Sequence, residues 1–265
     1  MLTVKNLNYQ VSKKHPFLWH DLNFSLELGK IYTLVGINGV GKTTLLNLLS
    51  GLIKPTKGEI YFEDQPIHQS KASLRNYLTN VGYCLQNAEN LFFNQTVEEE
   101  LQYHYSGDLT AIIEELKLES LLKQSPFELS GGQQKRLELA IMLLKKPKIL
   151  FCDEITAGLD AKNLQLTMDE INYFKSNHIV LMVTHNLSEA LTYGDEFLFL
   201  KNDGIEQQSK KQVLRNPHVF KNAGLIDPPT IAVCQALINQ KIFSKGSYYK
   251  SNQEIAQALA EKVLS

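Results

Sequence analysis

The sequence predicts an α/β fold built on a mostly parallel sheet, with a smaller antiparallel sheet near the N-terminus. The first observation is segment 31–50, where a short apolar run leads through a glycine-rich loop into apolar residues at helical spacing. The second is a set of further short apolar runs that end in polar residues: 80–85, 148–154 and 178–184. The third is an alternation of apolar and polar side chains, typical of half-buried strands, in 2–9, 22–28 and 58–63.

The glycine-rich loop matches a phosphate-binding pattern. Residues 36–43, called the glycine loop below, fit G-x-x-x-x-G-K-[ST]. Gly36, Gly39 and Gly41 lack a Cβ, so their backbone can wrap around an anion at the N-terminus of the following helix. Lys42 is expected to reach the β- and γ-phosphates of a nucleotide, and the Thr43 hydroxyl is expected to bind Mg²⁺. The alternative, a glycine turn with a solvated lysine, is disfavoured by the strand and helix on either side.

Polar residues follow three of the predicted buried strands. Asp153 and Glu154 end one run, where an aspartate holds Mg²⁺ and the next carboxylate polarises a water in line with the γ-phosphate. A solvated acidic turn is the alternative. Gln86 and His185 end two other runs, at the sheet edge where ligands bind, and are expected to orient water and metal and to contact the γ-phosphate. A strand-end histidine is otherwise usually solvated.

A second candidate anion site lies far from the first along the chain. Ser130 and Gln133 have the spacing of a capping box, so Ser130, Gly131 and Gly132 open a helix with free N–H groups. Taken alone, the segment also fits an ordinary glycine-rich helix start. Thr96 and Glu99 predict another capped helix, and the run 109–123 predicts a helix with an interruption near Leu118.

Composition excludes several classes of protein. The 265 residues carry a formal charge of −1, which gives no basic face for nucleic acid. No apolar run reaches 18 residues, so we expect no membrane-spanning helix, and the first residues do not have the pattern of a signal peptide. Three cysteines without C-x-x-C spacing indicate reduced thiols in a cytoplasmic protein.

The expected organisation is a main domain over 1–211 with a helical extension over 212–265. A helical subdomain, about 87–146, is inserted between the strand that ends at Gln86 and the strand at 148–154. In the extension, Ser251 and Glu254 predict one more capping box.

Together these segments resemble an ATP-binding-cassette (ABC) ATPase, the nucleotide-binding subunit of an ABC transporter. In this family's pattern, residues 36–44 correspond to the Walker A loop, Gln86 to the Q-loop, Leu129–Gln133 to the signature segment, and Glu154 and His185 to the catalytic glutamate and switch histidine. The resemblance implies a P-loop NTPase fold with a RecA-like sheet. It also implies the following nucleotide-binding residues: Tyr9, Gly36, Asn38, Gly39, Gly41, Lys42, Thr43, Thr44, Ser130, Gly131, Gly132, Gln133 and Asp160.

The resemblance assigns roles within that set. Lys42, Gln86, Glu154 and His185 are implied as catalytic residues, and Mg²⁺ is implied to be held by Thr43, Gln86 and Asp153. Tyr9 stands where an aromatic stacks on adenine, although an ordinary strand aromatic fits equally well.

A narrower resemblance is to energy-coupling-factor (ECF) ATPases, which power the import of vitamins and metal ions. It rests on the segments 81–100, 125–129, 157–160 and 224–229, although Ala88 and Ile155 each stand where this group usually has proline. The implied partners are a second ABC ATPase subunit, identical or homologous, and integral membrane subunits at the cytoplasmic face of the membrane. Residues 91–93 are a candidate docking surface for the membrane partner or, alternatively, part of the core. An exporter ATPase or an ATPase of iron–sulfur assembly remains an alternative.

Overall fold

The structure is a computed structural model that describes residues 1–12, 14–216 and 218–263. The strands are β1 Leu2–Tyr9, β2 Trp19–Leu26, β3 Lys30–Val35, β4 Lys57–Phe62, β5 Gln65–Pro66, β6 Val81–Cys84, β7 Ile149–Asp153, β8 Ile179–Val183, β9 Glu196–Lys201 and β10 Gly204–Ser209. The α-helices are α1 Lys42–Leu49, α2 Lys71–Leu78, α3 Val97–His104, α4 Thr110–Glu115, α5 Gly131–Leu144, α6 Ala161–Phe174, α7 Leu187–Tyr193, α8 Lys210–Arg215, α9 Val219–Asn222, α10 Pro229–Asn239 and α11 Asn252–Val263.

The larger sheet has the strand order β10-β9-β3-β8-β7-β6, and its first five strands in chain order all run parallel. Only β10 is antiparallel, joined to β9 by a hairpin. Every residue of β7 and β8 is buried because helices cover both faces of the sheet. The predicted mostly parallel sheet is confirmed, and the carboxyl ends of β3, β6, β7 and β8 meet at one edge.

The smaller sheet has the order β2-β1-β4-β5 and is antiparallel throughout, as predicted from the alternating N-terminal runs. Its apolar face shares one core with α1 and the larger sheet. Trp19, the first residue of β2, is fully buried, and its Nε1 donates to the Val40 carbonyl oxygen at 2.9 Å. This bond attaches the smaller sheet directly to the glycine loop.

The helices between β6 and β7 follow their capping signals. Thr96 begins α3 and Ser130 begins α5, and both capping boxes are complete. The interruption expected near Leu118 occurs at Lys117, which adopts φ 53° between two buried leucines and so ends the helical run after α4. These helices and the back of the larger sheet share a second core.

The C-terminal helices pack on β9 and on one another. Phe220 of α9 makes edge-on contacts with Phe197 and Phe199 of β9. The domain boundary expected between residues 211 and 212 falls inside α8. The capping box predicted for Ser251 forms only in part, because the Glu254 carboxylate accepts from the Lys250 N–H rather than from that of Ser251. None of the helices described is long and apolar enough to cross a membrane.

Candidate functional site

The glycine loop connects β3 to α1 and has a conformation that glycine permits. Gly41 adopts φ 100°, and a Cβ at this position would lie 2.3 Å from the Cζ2 atom of Trp19. The left-handed backbone and the neighbouring indole therefore both exclude a larger residue. With Gly41 as its N-cap, α1 begins at Lys42, so the free N–H groups of its first turn belong to the loop.

Lys42 lies inside the glycine loop rather than in solvent. Its Nζ donates to the carbonyl oxygens of Gly36, at 2.8 Å, and Ile37, at 3.1 Å, and only 7% of the residue is exposed. Burial lowers the pKa of Lys42, while the charges of Glu154 and Asp153 act in the opposite direction. A triphosphate in the loop would supply the additional negative charge that this buried ammonium lacks.

Asp153 ends β7 and is 4% exposed, against the start of α1. Burial raises the pKa of Asp153, the Thr43 hydroxyl opposes this by donating to the carboxylate, and the charge of Glu154 raises it further. A hydroxyl and a carboxylate beside a phosphate site are the oxygen donors that Mg²⁺ prefers, with waters and phosphate completing the shell. The residues present therefore fit the metal, and a bound cation would favour the charged form of Asp153 that burial disfavours.

Glu154 is the junction of the strand ends. Its φ of 56° turns the chain sharply after β7, and its N–H donates to the Val183 carbonyl oxygen of β8 at 3.0 Å. One carboxylate oxygen, Oε1, lies 2.8 Å from Nε2 of His185, while Gln86 Nε2 donates to Oε2 at a longer 3.5 Å. The residues expected at three separate strand ends thus meet at one carboxylate.

The strand ends and the glycine loop enclose one open cavity of about 450 Å³. It is lined by Asn38, Gly39, Gly41, Lys42, Thr43, Thr44, Gln86, Glu154, Val183 and His185. Nine of these ten residues are candidates named from the sequence, and Val183 is the addition. The cavity therefore has N–H groups and an ammonium group that can bind phosphates, and oxygen donors that can bind a cation. It also has a carboxylate with a histidine beside it.

The signature segment lies outside this cavity. Ser130 and Gly131 are exposed, and a Cβ on Gly131 would meet nothing within 4 Å. Gly132 lies against the loop that precedes α6, since a Cβ there would be 3.3 Å from Leu159 and 3.4 Å from Asn163. Asp160 caps α6 in that loop, with Oδ1 accepting from the Asn163 N–H at 2.8 Å. The second anion site and Asp160 thus form a separate open surface.

Four further residues do not line the cavity: Tyr9, Trp19, Lys135 and Glu138. Tyr9 is half-buried beside Trp19 in the smaller sheet and does not line the cavity. Trp19, the only tryptophan in the chain, belongs to no motif of the sequence and was not predicted. Lys135 and Glu138 were not predicted either; both are buried in α5 and contact the backbone of Leu85 and Gln86. The available signal in the sequence is Glu138, a single charged residue within the apolar run that follows Arg136 in α5.

Comparison with known proteins identifies the family of the chain. Residues 19–157 match the family model described as ABC transporter. The chain is 31% identical over 254 residues to the energy-coupling factor transporter ATP-binding protein EcfA2 of Caldanaerobacter subterraneus subsp. tengcongensis, covering 89% of this chain and 88% of that protein. The EcfA2 protein of Ligilactobacillus salivarius is also 31% identical, over 97% of this chain and 96% of its own length.

Solved structures give the same result. The structure of cbiO1 from Clostridium perfringens, described as part of the ABC transporter complex cbiONQ, aligns with a TM-score of 0.73 at 25% identity, covering 84% of this chain and 94% of that one. A dimeric ATP-binding cassette, MJ0796, bound to ADP and Pi, aligns with a TM-score of 0.68 at 25% identity over 79% of this chain and 99% of its own. The match of an ABC family model to more than half of the chain, and relatives above 30% identity along nearly all of it, establish that the chain belongs to the ABC transporter family as an ATP-hydrolysing, ATP-binding subunit.

Proposed function

We propose that this chain hydrolyses MgATP as the motor subunit of an ECF-type transporter that imports a vitamin or a metal ion. The observation that carries the proposal is the Glu154 carboxylate, held beside His185 and Gln86 at a cavity that the glycine loop lines. The ECF names of its relatives support the transporter class. The chain is then a peripheral protein at the cytoplasmic face of the membrane.

In the proposed site, the glycine loop binds the triphosphate. The N–H groups at the start of α1 donate to the phosphate oxygens, and Lys42 exchanges its bonds to Gly36 and Ile37 for bonds to the β- and γ-phosphates. Thr43, Asp153 and Gln86 would hold Mg²⁺, which supplies positive charge against the charge that develops on the transferred phosphoryl group. Tyr9, near the same loop, is the proposed contact for adenine.

Glu154 is the proposed general base for the attacking water. A carboxylate that accepts the water proton and a donor that contacts the γ-phosphate must both reach the reacting group, and the Glu154–His185 contact of 2.8 Å places them side by side. Gln86 orients the water or the metal from the other carboxylate oxygen. Most of the catalytic effect then comes from positioning and electrostatics, as in phosphoryl transfer generally.

A single chain supplies only half of the proposed catalytic centre. The signature segment, Leu129–Gln133, exposes Ser130 and Gly131 at a helix start, and none of its residues lines the same chain's cavity. We propose that Ser130, Gly132 and the neighbouring Asp160 close over the nucleotide of a second ATPase subunit, so that ATP joins two subunits head to tail. The dimeric MJ0796 cassette supports this arrangement.

Phe93 is the proposed contact with a membrane subunit. It is 74% exposed, seven residues after Gln86, whereas the adjacent Phe92 is only 4% exposed and packs edge-on against Phe127. The loop that carries it is fixed by Glu100, whose Oε2 accepts from the N–H groups of Phe93 and Asn94 at 2.8 Å. An exposed aromatic on an ordered loop is suited to a groove contact with a short helix.

The direct test is purification of the chain from membranes of its own cell, followed by identification of the integral membrane protein that accompanies it. Uptake of the cognate vitamin or metal ion should then require ATP and should stop in the Glu154→Gln variant. Outward transport by the same complex, or a chain that purifies without any membrane protein, would overturn the proposed import function. We also propose a division of the chain into a cassette over 1–211, with its inserted helical subdomain at about 87–146, and a helical extension over 212–265.

A further inference from the structure

Beyond Cys84, the last residue of β6, the backbone leaves the sheet and reaches Gln86 without a strand partner. The register between β6 and β7 ends at the pair Cys84 and Cys152. The N–H and carbonyl groups of Leu85 and Gln86 are therefore outside the ladder, close to the buried face of α5. Backbone groups that are partly shielded from water still need partners, and here the partners are charged side chains.

Two buried side chains of α5 supply those partners. Glu138 Oε1 accepts from the Leu85 N–H at 2.5 Å. Lys135 Nζ donates to the carbonyl oxygens of Leu85 and Gln86, the latter at 2.8 Å. The two side chains also pair with each other, Nζ to Oε2 at 3.4 Å, and Lys135 is 7% and Glu138 0% exposed. We call this group the Lys135–Glu138 clamp.

The clamp joins the two proposed catalytic surfaces of the chain. Its residues lie in the second turn of the helix that begins at Ser130, the start of the exposed signature surface. The clamp is hydrogen-bonded to the backbone of Leu85 and Gln86, and the Gln86 side chain reaches Glu154 in the cavity. A helix is stiff over two turns, and charge-assisted hydrogen bonds such as these to the backbone are shorter and stronger than neutral ones. Displacement of the signature surface is therefore transmitted to Gln86.

We propose that Lys135 and Glu138 are positioning residues that couple the signature surface of this chain to Gln86 in its own nucleotide site. When the signature closes on the nucleotide of the facing subunit, the clamp fixes Gln86 at the position from which it orients water or metal. Hydrolysis in each site then depends on closure over the other. The inference rests on the proposed role of Gln86 in hydrolysis.

A double variant tests the clamp without leaving a buried charge unpaired. Lys135→Met with Glu138→Leu removes both charges and fills similar volume, a change that cores usually tolerate, whereas either charge alone would be stranded. In the full chain, assembled as the dimer that hydrolyses ATP, we expect kcat to fall about tenfold or more while the Kd for MgATP changes less than about threefold. Glu138→Gln keeps an acceptor for the Leu85 N–H and leaves Lys135 bonded to the carbonyl oxygens of Leu85 and Gln86. It is therefore the milder second variant and is expected to lose less activity.

The same changes in a Gln86→Ala background separate the inference from the proposed function. If the clamp acts through Gln86, the effects on kcat are not additive, and Gln86→Ala alone is as slow as the combined variant. Two results would overturn the clamp and leave the role of Gln86 intact. One is that the losses in kcat add when the double variant is combined with Gln86→Ala. The other is that the double variant keeps full kcat while Gln86→Ala is slow. Normal kcat in Gln86→Ala alone would instead remove the role of Gln86, and the clamp with it.

Hydrogen exchange shows whether the variants fold and whether the backbone of Leu85 has lost its partner. Hydrogen exchange of the Leu85 amide should accelerate in the double variant, because its acceptor is lost, while exchange in β7 and β8 stays slow. Should the double variant fail to fold, Glu138→Gln carries the test, with the same comparison of kcat, Kd and Gln86→Ala background. A Glu138→Gln variant with normal kcat and accelerated Leu85 exchange would also contradict the proposal.

Discussion

His185 Nε2 lies 2.8 Å from Glu154 Oε1, across the carboxyl ends of two neighbouring parallel strands. Neither residue belongs to the strand proper: Glu154 follows Asp153 in a left-handed conformation, and His185 follows β8 by two residues. The contact therefore depends on how each strand ends. It brings together, in the cavity of the glycine loop, the carboxylate proposed to accept the water proton and the imidazole proposed to contact the γ-phosphate.

Glu154→Gln should slow ATP hydrolysis by about 10²- to 10⁴-fold, because the amide cannot accept the proton of the attacking water. ATP binding should persist, since Glu154 does not belong to the glycine loop. Single-turnover hydrolysis and nucleotide binding by the same preparation measure the two effects separately. Unchanged turnover would remove the role of Glu154 as general base.

Lys42→Met should weaken MgATP binding about 10- to 100-fold, the usual contribution of a charged donor to phosphate. Because burial lowers the pKa of Lys42, the ammonium is poorly solvated in the empty site, and the nucleotide-free variant should be at least as stable as wild type. Lys54→Met, an exposed lysine outside the cavity, is the control. Calorimetric titration and thermal unfolding measure both quantities, and wild-type affinity in Lys42→Met would contradict the assignment.

Phe93→Ala should leave soluble ATPase activity and stability unchanged but weaken assembly with the membrane subunit, because 74% of Phe93 is exposed. Tyr173→Ala, with an aromatic ring 79% exposed on α6, is the matched control and should assemble normally. Phe92→Ala should instead lower the free energy of unfolding by about 3–5 kcal/mol, since that ring is buried. Co-purification and urea unfolding distinguish them; equal assembly of the Phe93 and Tyr173 variants would remove the docking surface.

Lys210, the first residue of α8, should make the free energy of unfolding depend on pH. Burial lowers its pKa to about 8, the charges of Lys250 and Lys175 act in the same direction, and Asp195 opposes them. Because the folded value lies below the unfolded value of 10.5, the unfolded chain binds more protons between about pH 8 and 10.5, and stability rises across that window. The stabilisation is complete above the unfolded pKa and is lost as pH falls through the folded one.

Lys210→Met should therefore be more stable than wild type at pH 7 by on the order of 1 kcal/mol, after a discount for the partial solvent exposure of the ammonium. The difference should shrink as the pH approaches 10, where wild-type Lys210 is neutral in the folded chain. Urea unfolding at a series of pH values measures it, with the exposed neighbour Lys211→Met as control. If the difference in the free energy of unfolding between the variant and wild type does not change with pH, the charged Lys210 ammonium does not destabilise the folded chain, which would contradict this prediction.

The sequence predicted the site more completely than the periphery of the fold. Local rules define the glycine loop and the capping boxes at Thr96 and Ser130, so those segments form as expected. The polar residues after buried strands meet because parallel strands share one edge. By contrast, α2 and α7 escaped prediction: α2 has one buried residue among eight and so has little apolar periodicity to detect.

Tertiary contacts explain what the sequence left open. Nothing local distinguishes Phe92 from Phe93, and only the packing of Phe92 into the second core decides which ring is buried. Trp19 is the only tryptophan in the sequence, but its bond to the Val40 carbonyl oxygen joins β2 to the glycine loop, 21 residues away along the chain. Lys135 and Glu138 resemble an exposed i,i+3 pair until α5 is placed against the end of β6.

The most direct measurement of the central claim is the mass of the Glu154→Gln chain by sedimentation, with MgATP and with MgADP, in the presence of its homologous subunit where it has one. Two chains whose signature segments close over each other's nucleotide should form an ATP-dependent dimer that dissociates with ADP. Gly132→Trp, which fills the signature surface, should abolish that dimer while each chain still binds ATP. A mass that is the same with both nucleotides, or a dimer unaffected by Gly132→Trp, would contradict a catalytic centre divided between two chains.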